Sequence, residues 1–417
     1  MEQTKPFNIS KLSVWEAYKK VKANKGSAGV DGQSIEDFEL NLKDNLYKIW
    51  NRMSSGSYFP PAVLRVEIPK SDGKIRPLGI PTVADRIAQM VIKQQLEPKL
   101  EKIFHKDSYG YRPKKSAIEA IGQARTRCWR NDWVLDLDIK GFFDNINHEL
   151  MMKAVKIHTT DKWTLLYIER WLKASVQMPD GALVVSDKGT PQGGVISPLL
   201  ANLFLHYAFD KWMERNFPTI PFERYADDSV CHCKTEVQAK ILKTAIEKRM
   251  KEVQLELHPD KTKIVYCKDA DRTGTYKNIQ FDFLGYTFRP RKSKNRFGKY
   301  FINFTPAISN KAIKRIKAVM RGWGWQNKTD KTLEDLANMF NRQVQGWINY
   351  YSHFYKSALI PLFQHLNQRL IRWAMRKFKN LKGHKARARA WLQEISHRQS
   401  TLFAHWRFLY VNDMVKQ

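Results

Sequence analysis

The sequence predicts an α+β body followed by an all-helical module. Short runs of strand-forming residues alternate with helical patterns up to about residue 288. Beyond about residue 305 the apolar spacing is mostly helical. The 417 residues are 43% hydrophobic, which is enough for a large buried core, so the composition excludes a disordered or fibrous chain.

The first half of the body is predicted from turn residues and apolar periodicity. Residues 8–50 predict helices that break at KGSAGVDG (25–32), where three glycines and an aspartate favour a turn. Two alternating arms flank Ser71-Asp72-Gly73-Lys74 and predict a β-hairpin over residues 63–80. The other elements predicted here are a helix at 83–105, a strand at 133–138 and a second hairpin around Pro179-Asp180-Gly181.

The second half of the body is predicted in the same way. An apolar helix is expected from Pro198 to about Trp212, with Ser197 as its cap. The other predicted elements are strands within 222–233, 263–267 and 282–288 and an amphipathic helix at 235–255. The basic stretch at 289–299 is expected to be a loop that separates the body from the helical module.

Positive charge is concentrated in the last third of the chain. The whole chain carries 72 Lys and Arg against 41 Asp and Glu, a net charge of +31. Residues 289–417 hold 27 of these bases and 5 of the acids, a net charge of +22, together with six of the 13 tryptophans. A basic surface with interspersed aromatics is typical of nucleic-acid binding. A basic face for an anionic membrane is the alternative, but the run at 289–299 has no apolar side.

The sequence indicates neither a membrane protein nor a secreted one. It has no run of about 18 uncharged apolar residues, and its first residues lack the features of a signal peptide. The four cysteines are too few for a disulfide framework, so we expect a reducing compartment. Cys231, His232 and Cys233 suggest a zinc site, although their spacing fits an ordinary strand better.

Two acidic segments carry the predicted chemistry. Asp136 and Asp138 lie two apart in a predicted strand, so they point to the same side. Asp227 and Asp228 are adjacent in RYADDSV (224–230), where two like charges inside a strand are costly unless cations neutralise them. A turn would place both at one hairpin tip, although a lone Asp-Asp pair also suits an exposed turn. Carboxylates from both segments fit a pair of Mg²⁺ ions that stabilise the attacking and leaving oxygens of a phosphoryl displacement.

Two further motifs fit a nucleotide beside such a centre. GTPQGGVISPLLANLFL (189–205) places two glycines after Gln192, where a ligand can approach the backbone closely. Lys70 and Arg76 flank the first predicted hairpin turn. They can hold a triphosphate, or they can be ordinary charges at a hairpin edge.

Taken in order, these segments resemble reverse transcriptases, and most closely the group II intron-encoded reverse transcriptase/maturases. The resemblance covers about residues 10–380. The matching stretches are KGSAGVDG (25–32), IPKSDGKIRPLGIPTVADRIAQ (68–89), SYGYRPKKSA (108–117), LDLDIKGFFDNINH (135–148), GTPQGGVISPLLANLFL (189–205), RYADDSVC (224–231), LHPDKTKI (257–264) and FDFLGYTF (281–288). The resemblance implies a right-hand polymerase fold, with fingers, a palm that has a ferredoxin-like sheet, and a helical thumb.

The resemblance also implies a domain order. The expected domains are an N-terminal extension at 1–60, fingers and palm at 61–288, a helical thumb with the maturase region at 289–380, and a short basic DNA-binding segment at 381–417. GWINYYSHF (346–354) resembles the maturase region. The HNH endonuclease domain of many relatives is expected to be absent, because no cysteine follows Cys267.

The resemblance assigns roles to individual residues. Asp138 matches the first metal-binding aspartate of the family, and Asp227 and Asp228 match the pair in its Y-x-D-D motif. These three are the expected catalytic residues and ligands of two Mg²⁺ ions, for which Mn²⁺ can substitute. The residues expected at the dNTP are Lys70 and Arg76 on the triphosphate, Phe143 against the sugar where it excludes a 2′-hydroxyl, Gln192 and Gly193 beside the templating base, and Lys261 as an acid toward pyrophosphate. The residues expected to contact nucleic acid are Lys292, Arg296, Lys382, Lys385 and Arg387.

The function implied is RNA-templated DNA synthesis, joined to a maturase role in intron splicing and mobility. The expected partners are an RNA template, a DNA or RNA primer, dNTPs, intron RNA and target DNA, with no membrane partner and no indication of oligomeric state. Three alternatives stay open: a reverse transcriptase repurposed for phage defence or DNA repair, a non-catalytic RNA-binding splicing chaperone, and an RNA-templated RNA polymerase. The three aspartates argue against the chaperone, and Phe143 argues against the RNA polymerase.

Overall fold

The computed structural model describes residues 5–69 and 75–413. Within these ranges a mixed α+β body is followed by a helical C-terminal region, which confirms the predicted fold class. The chain divides into two compact units. The first contains the residues up to Ala120 together with Trp133–Ile264, and the second contains Ile121–Asp132 together with the residues from Val265 onward.

Strands and helices alternate along most of the chain. The strands are β1 (Val63–Pro69), β2 (Ile75–Ile80), β3 (Trp133–Asp138), β4 (Val176–Gln177), β5 (Leu183–Val184), β6 (Phe222–Tyr225), β7 (Asp228–Cys233), β8 (Lys263–Tyr266), β9 (Phe281–Phe283), β10 (Tyr286–Lys294) and β11 (Tyr300–Ile308). The helices are α1 (Lys11–Asn24), α2 (Ile35–Leu40), α3 (Leu42–Ser55), α4 (Val83–Glu101), α5 (Ala117–Cys128), α6 (Phe142–Asn145), α7 (His148–Lys156), α8 (Lys162–Leu172), α9 (Ser197–Leu205), α10 (Lys211–Asn216), α11 (Glu236–Glu252), α12 (Asn310–Gly322), α13 (Leu333–Tyr351), α14 (Ile360–Lys377), α15 (Lys385–Arg398) and α16 (Ala404–Asp413).

A four-stranded sheet with the order β6-β7-β3-β8 forms the centre of the body. β7 pairs antiparallel with both β6 and β3. The apolar residues of β3 are buried on both faces, whereas Asp136 and Asp138 are only partly buried. Because side chains alternate along a strand, these two aspartates share one face. The strand that sequence predicts at 133–138 is therefore confirmed.

A second sheet with the order β2-β1-β4-β5 lies in the same unit. β1 and β2 pair antiparallel from Leu64–Ile80 to Pro69–Ile75, which confirms the first predicted hairpin. The predicted turn at 71–74 and Lys70 lie outside the described residues. The second predicted hairpin is also present, since β4 and β5 pair antiparallel on either side of the predicted turn.

The second unit combines a three-stranded antiparallel sheet, β11-β10-β9, with helices α12–α16. Bulky aromatic side chains fill its core, and those of Trp325, Trp373, Trp406 and Phe363 are almost completely buried. Burying an aromatic side chain removes a large apolar area from water, so this core holds the helices together.

The structure corrects the predicted loop at 289–299. These residues belong to a long ribbon in which β10 and β11 pair from Tyr286–Ile308 to Lys294–Tyr300. The distal part of the ribbon is largely exposed, and Phe297, Tyr300 and Phe301 lie at its surface. Because residues 289–299 have no buried face, they need no apolar alternation, so the sequence gives no strand signal there. The helical region begins at Asn310.

Other boundaries also differ from the predictions. The single strand expected at 282–288 is two strands, β9 and β10, because Leu284 and Gly285 have positive φ angles and form a tight turn. Ser197 does not cap α9, since Ile196 occupies the N-cap position and Ser197 begins the helix. The Ser197 hydroxyl instead accepts a hydrogen bond from Thr190 Oγ1 at 2.8 Å.

The cysteines form no zinc site with His232. All four are buried and none is in a disulfide, and Cys231 and Cys233 lie on β7. His232 Nε2 lies 2.6 Å from a carboxylate oxygen of Glu223, which accounts for a buried histidine in a strand. Within residues 5–69 and 75–413, none of the helices has both the length and the apolarity needed to cross a bilayer.

Candidate active site

The register of β3 and β7 brings the predicted aspartates together. Asp138 ends β3, Asp228 begins β7, and the two are direct cross-strand partners. Opposed residues of antiparallel strands have Cα atoms about 4.5–5.5 Å apart. Asp227 lies in the turn that joins β6 to β7, immediately before Asp228. All three carboxylates therefore lie at the same end of the central sheet.

A buried arginine holds the turn that carries Asp227. Ala226 has a φ of 57°, a left-handed conformation that is costly for a residue with a Cβ. Arg224 Nη1 donates to the Ala226 carbonyl at 3.0 Å. The same guanidinium pairs with Asp210 at 2.6 Å and donates to Asn202 at 3.0 Å. The turn geometry thus depends on a buried charged network.

A glycine loop packs against the other side of this turn. Tyr109 N donates to the Arg224 carbonyl at 2.8 Å, and Asn202 Nδ2 donates to the Gly110 carbonyl at 2.6 Å. A Cβ on Gly110 would clash with the backbone nitrogen of Ala226. Close approach of two backbones therefore requires glycine at this position.

Two residues of this buried network could have been recognised from the sequence, although neither was predicted as a site residue. Arg224 is a buried charged residue in the short strand β6, where it follows Glu223, and Asp210 is an acid within a largely apolar helical stretch. Each is unfavourable in such a place without a partner of opposite charge. The fold supplies this partner, because Arg224 pairs with Asp210, which lies fourteen positions earlier in the chain.

Burial and mutual repulsion disfavour the charged state of the carboxylates. Burial raises the pKa of Asp228 well above its ordinary value, and the neighbouring carboxylates raise it further. Burial also raises the pKa of Asp227, with the charge of Asp138 adding to the rise and Lys261 opposing it. A bound cation would relieve this repulsion.

Lys261 lies beside the cluster. Its ammonium Nζ is 2.7 Å from Asp138 Oδ2, and the side chain remains 57% exposed. The segment that carries it is anchored to β3, because His258 N donates to the Asp138 carbonyl at 2.8 Å. Lys261 thus supplies an exposed positive charge at the rim of the carboxylates.

The carboxylates provide suitable donors for a metal, although their side chains are not arranged around one. Within residues 5–69 and 75–413, no group of three or more His, Cys, Asp or Glu side chains is arranged to hold a metal ion. Three clustered carboxylates nonetheless offer only oxygen ligands, which is the chemistry that Mg²⁺ prefers. Because Asp138 is paired with Lys261, enclosing a cation requires side-chain rotation.

Two of the residues predicted at the nucleotide, Arg76 and Gln192, form a connected row with Asp144. Arg76 Nε donates to Gln192 Oε1 at 3.0 Å, and Gln192 Nε2 lies 3.3 Å from Asp144 Oδ1. The positive charge of Arg76 also acts to lower the pKa of Asp227. The structure therefore places Arg76 and Gln192 close to the carboxylates, and Asp144 is a member of the row that sequence analysis did not assign to the site.

The glycines after Gln192 allow its loop to lie against β2. Gly79 N donates to the Gln192 carbonyl at 2.7 Å. Gly193 has a φ of 126°, and a Cβ there would clash with the Gly79 carbonyl oxygen. Any other residue at 193 would move the loop and Gln192 with it.

Phe143 lies in the short helix α6 and is 9% exposed. Its carbonyl accepts a hydrogen bond from Thr190 N at 2.7 Å, which ties α6 to the loop that carries Gln192. Its ring packs edge-on against Phe142 at 5.3 Å. A ring fixed in this way can act as a rigid wall for a ligand.

The predicted nucleic-acid contacts fall in two places of the second unit. Lys292 and Arg296 lie on the β10–β11 ribbon, where Lys292 Nζ is 4.3 Å from the centre of the Tyr300 ring. Lys382 lies between α14 and α15, and Lys385 and Arg387 lie in the first turn of α15, where Arg387 donates to the Asn380 carbonyl at 3.2 Å. The five residues therefore belong to two separate stretches of the second unit.

Two family models match the chain. The model for reverse transcriptase (RNA-dependent DNA polymerase) matches residues 68–288. This chain belongs to the reverse transcriptase family. The model for the group II intron maturase-specific domain matches residues 311–391, so this reverse transcriptase is of the group II intron type, as the resemblance implies.

Curated relatives agree with this assignment. Protein YkfC of Escherichia coli K12 is 33% identical in an alignment that covers 65% of this chain and 77% of that protein. The group II intron-encoded protein LtrA of Lactococcus lactis is 34% identical over 46% of this chain and 32% of its own length. The putative COX1/OXI3 intron 1 protein of Saccharomyces cerevisiae is 29% identical over 48% of this chain and 24% of its own length. The chain thus spans a third or less of these intron-encoded relatives.

Proposed function

We propose that this protein is an RNA-directed DNA polymerase of the group II intron type that also binds intron RNA. The observation that carries the proposal is the pairing of Asp138 with Asp228, with Asp227 at the adjoining turn. This arrangement supports the roles that the sequence predicts for the three aspartates. They would hold two Mg²⁺ ions, with Mn²⁺ as a substitute, which when bound activate the primer 3′-hydroxyl and stabilise the leaving pyrophosphate.

The protein's own side chains position the dNTP. Arg76 offers a guanidinium to the triphosphate, and its hydrogen bond to Gln192 fixes the direction of that group. Lys70 is proposed to share this task, although it lies outside the described residues. Gln192 and Gly193 then lie beside the base pair that forms. Positioning and charge neutralisation supply most of the acceleration in phosphoryl transfer.

Phe143 and Lys261 act at opposite ends of the nucleotide. The buried Phe143 ring is proposed to leave no room for a 2′-hydroxyl, so that the preference for deoxynucleotides is steric. Lys261 carries a proton on an exposed ammonium that already contacts Asp138. We propose that it donates this proton to pyrophosphate as the product leaves.

The partners follow from the two matched regions. The reverse transcriptase region is proposed to take an RNA template, a DNA or RNA primer and dNTPs. The maturase-specific region is proposed to bind intron RNA, and the basic residues from 381 onward to bind target DNA. The domain limits at 60, 288 and 380 belong to this proposal, as does location in a reducing prokaryotic cytoplasm. The absence of a disulfide among the four cysteines supports the reducing compartment.

Replacing Asp227 with Asn tests the polymerase. The substitution removes one charge at nearly constant volume, so we expect extension of oligo(dT) on poly(rA) with Mg²⁺ to fall by about 1,000-fold or more. Binding of RNA, measured by fluorescence anisotropy, should remain within about twofold of the unmodified protein, since the phosphate-binding charges are untouched.

The matched control is Asp187→Asn, which removes a charge from an exposed position outside the site. This variant should extend the primer at the unmodified rate. Normal extension by Asp227→Asn would contradict the assignment of the site. An unmodified protein that binds RNA but extends no primer would favour the splicing chaperone instead.

A further inference from the structure

The maturase-matched region contains a cavity lined by positive charge. Its volume is about 830 Å³, and every residue that lines it falls between 321 and 383. Its cationic side chains are Arg321 from α12, Arg369, Arg372 and Arg376 from α14, and Lys379 and Lys382 from the segment that follows. No aspartate or glutamate is among the lining residues in the part of the chain that the structure describes.

One of these arginines, Arg369, is buried, and no acid lies among the described residues that line the cavity with it. Arg369 is 8% exposed, and its Nε has no hydrogen-bond partner among residues 5–69 and 75–413. Burial lowers the pKa of the Arg369 guanidinium, and the neighbouring charges of Arg372 and Arg321 lower it further. A buried unpaired charge is costly, so an anion in this cavity would gain an unusually strong partner.

Other arginines with little exposure find their partners in two ways. Arg86 donates to the backbone carbonyl oxygens of Lys25 and Ser27, at 3.4 and 2.7 Å, whereas Arg224 and Arg272 are paired with acids. Arg224 contacts Asp210 at 2.6 Å, and Arg272 donates to Asp269 at 2.9 Å. At the cavity, the partners of Arg376 among the described residues are neutral oxygens, including Asn327 Oδ1 at 2.6 Å. What distinguishes the cavity is that six cationic side chains line it with no acid among its described lining residues.

We propose that this cavity binds the phosphodiester backbone of an unpaired RNA segment. This inference rests on the proposed RNA-binding function. It adds that the residues of this cavity bind the RNA and that the bound RNA is unpaired. The volume lies within the range of about 300–1,000 Å³ that holds small ligands, which suits one or two nucleotides rather than a duplex. Met375 and Phe378 also line the cavity and provide an apolar surface on which a base can rest.

The choice of RNA rests on the position of the cavity in the sequence. All of its lining residues lie within 311–391, the range matched by the maturase-specific model. Unpaired RNA can project a phosphate into a concave site, whereas a regular duplex presents its phosphates on convex ridges. Free phosphate and single-stranded DNA share the same anionic chemistry, so the experiment must separate these ligands.

The test removes two exposed cavity charges and leaves the fold intact. In the full chain, Arg372→Gln with Lys379→Gln should weaken binding of a fluorescein-labelled single-stranded RNA by about tenfold or more at moderate salt. The slope of log affinity against log KCl concentration should become less steep by about 1.4, because each phosphate contact contributes about 0.7 for single strands. Arg369→Gln should also weaken binding of this single-stranded RNA.

The control variant carries Arg342→Gln with Lys356→Gln, which removes one arginine and one lysine from exposed positions outside the cavity. Its affinity should stay within about twofold of the unmodified protein, with an unchanged salt slope. Thermal unfolding of both double variants establishes that they are folded. Equal RNA affinities and slopes for the cavity and control variants would overturn the inference.

Competition separates the ligands. Unlabelled single-stranded RNA should displace the labelled RNA more effectively than single-stranded DNA of the same sequence, than an RNA duplex, or than pyrophosphate. Better displacement by DNA, by duplex or by pyrophosphate would overturn the choice of unpaired RNA. Asp227→Asn should retain the cavity-dependent affinity, so a failure of the polymerase proposal and a failure of this inference give different results.

Discussion

The acidic cluster of the first unit and the basic cavity of the second both gather like charges. Burial and repulsion shift both toward the neutral state, since they raise the pKa of Asp228 and lower that of Arg369. The two clusters differ in whether a neighbouring opposite charge offsets the repulsion. Lys261 contacts the acidic cluster at 2.7 Å, whereas no acid is among the described residues that line the cavity.

The two clusters also differ in what holds them together. The aspartates are fixed by backbone hydrogen bonds, because strand register alone places Asp138 opposite Asp228. The arginines of the cavity meet only where α12 and α14 pack and the chain turns after α14. In both cases the fold carries an electrostatic cost that a ligand of opposite charge removes, so ligand binding should stabilise the protein.

The largest expected effect comes from removing the charge of one buried carboxylate from the acidic cluster. Asp228→Asn should abolish extension, by about 1,000-fold or more, and yet raise the melting temperature of the metal-free protein by about 2–4 °C for each 1 kcal/mol of relieved repulsion. The pKa of Asp228 is raised in the folded state, so its contribution to stability is present at low pH and is lost as the pH rises through that pKa.

The difference in melting temperature between Asp228→Asn and the unmodified protein should therefore widen as the pH rises above about 4. Scanning fluorimetry in EDTA over a pH series measures it, with Asp187→Asn as the control that should show no such trend. A variant that is less stable than the unmodified protein at every pH would show that the carboxylate contributes stability and not strain.

The next effect compares the stability contributed by Arg224, which is paired with an acid, with that contributed by Arg372 in the cavity without acids. Arg224→Met leaves Asp210 buried without its partner and should cost about 3–5 kcal/mol in the free energy of unfolding. Arg372→Gln, which removes one of several like charges, should cost nothing measurable or add stability. Urea titration of both variants provides the comparison.

The double variant Arg224→Met with Asp210→Leu is the control for the missing partner. It should recover part of the lost stability, because neither charge is then left unpaired in the core. If Arg224→Met alone unfolds at the same urea concentration as the unmodified protein, the buried network does not hold the turn that carries Asp227.

A smaller effect concerns selection of the nucleotide at the acidic site, where the Phe143 ring is proposed to exclude a 2′-hydroxyl. Phe143→Ala opens space beside the proposed sugar position, so discrimination against ribonucleotides should fall by about 10–100-fold. The ratio of kcat/KM for dTTP and UTP on poly(rA) measures it, and the value for dTTP serves as the internal control. Unchanged discrimination would remove Phe143 from this role.

The smallest effect concerns the loop that carries Gln192. Gly193→Ala should raise KM for the dNTP about three- to tenfold, since a Cβ there clashes with the Gly79 carbonyl and moves the loop. Gly181→Ala is the matched control, because Gly181 also has a positive φ but has no atom within 4 Å of its Cβ position. It should cost about 1 kcal/mol in stability and leave KM unchanged.

Sequence periodicity predicted much of the central sheet. The strand at 133–138 and the pair of strands around Asp227 were accessible because a period of two and a local turn fix them without distant contacts. The β10–β11 ribbon was missed because residues 289–299, which include most of β10, carry charges in place of an apolar stripe. The roles of the site residues remain predictions that the variants above can test.

The sequence by itself determined the family, the sheet segments and the presence of three aspartates at strand ends, since these depend on local pattern and ordered motifs. Only the tertiary structure decided that Arg224 pairs with Asp210, that Gly110 packs against Ala226, and that arginines from α12 and α14 surround one cavity. Such contacts join residues far apart in the chain, and no local periodicity encodes which distant partner a buried charge will meet.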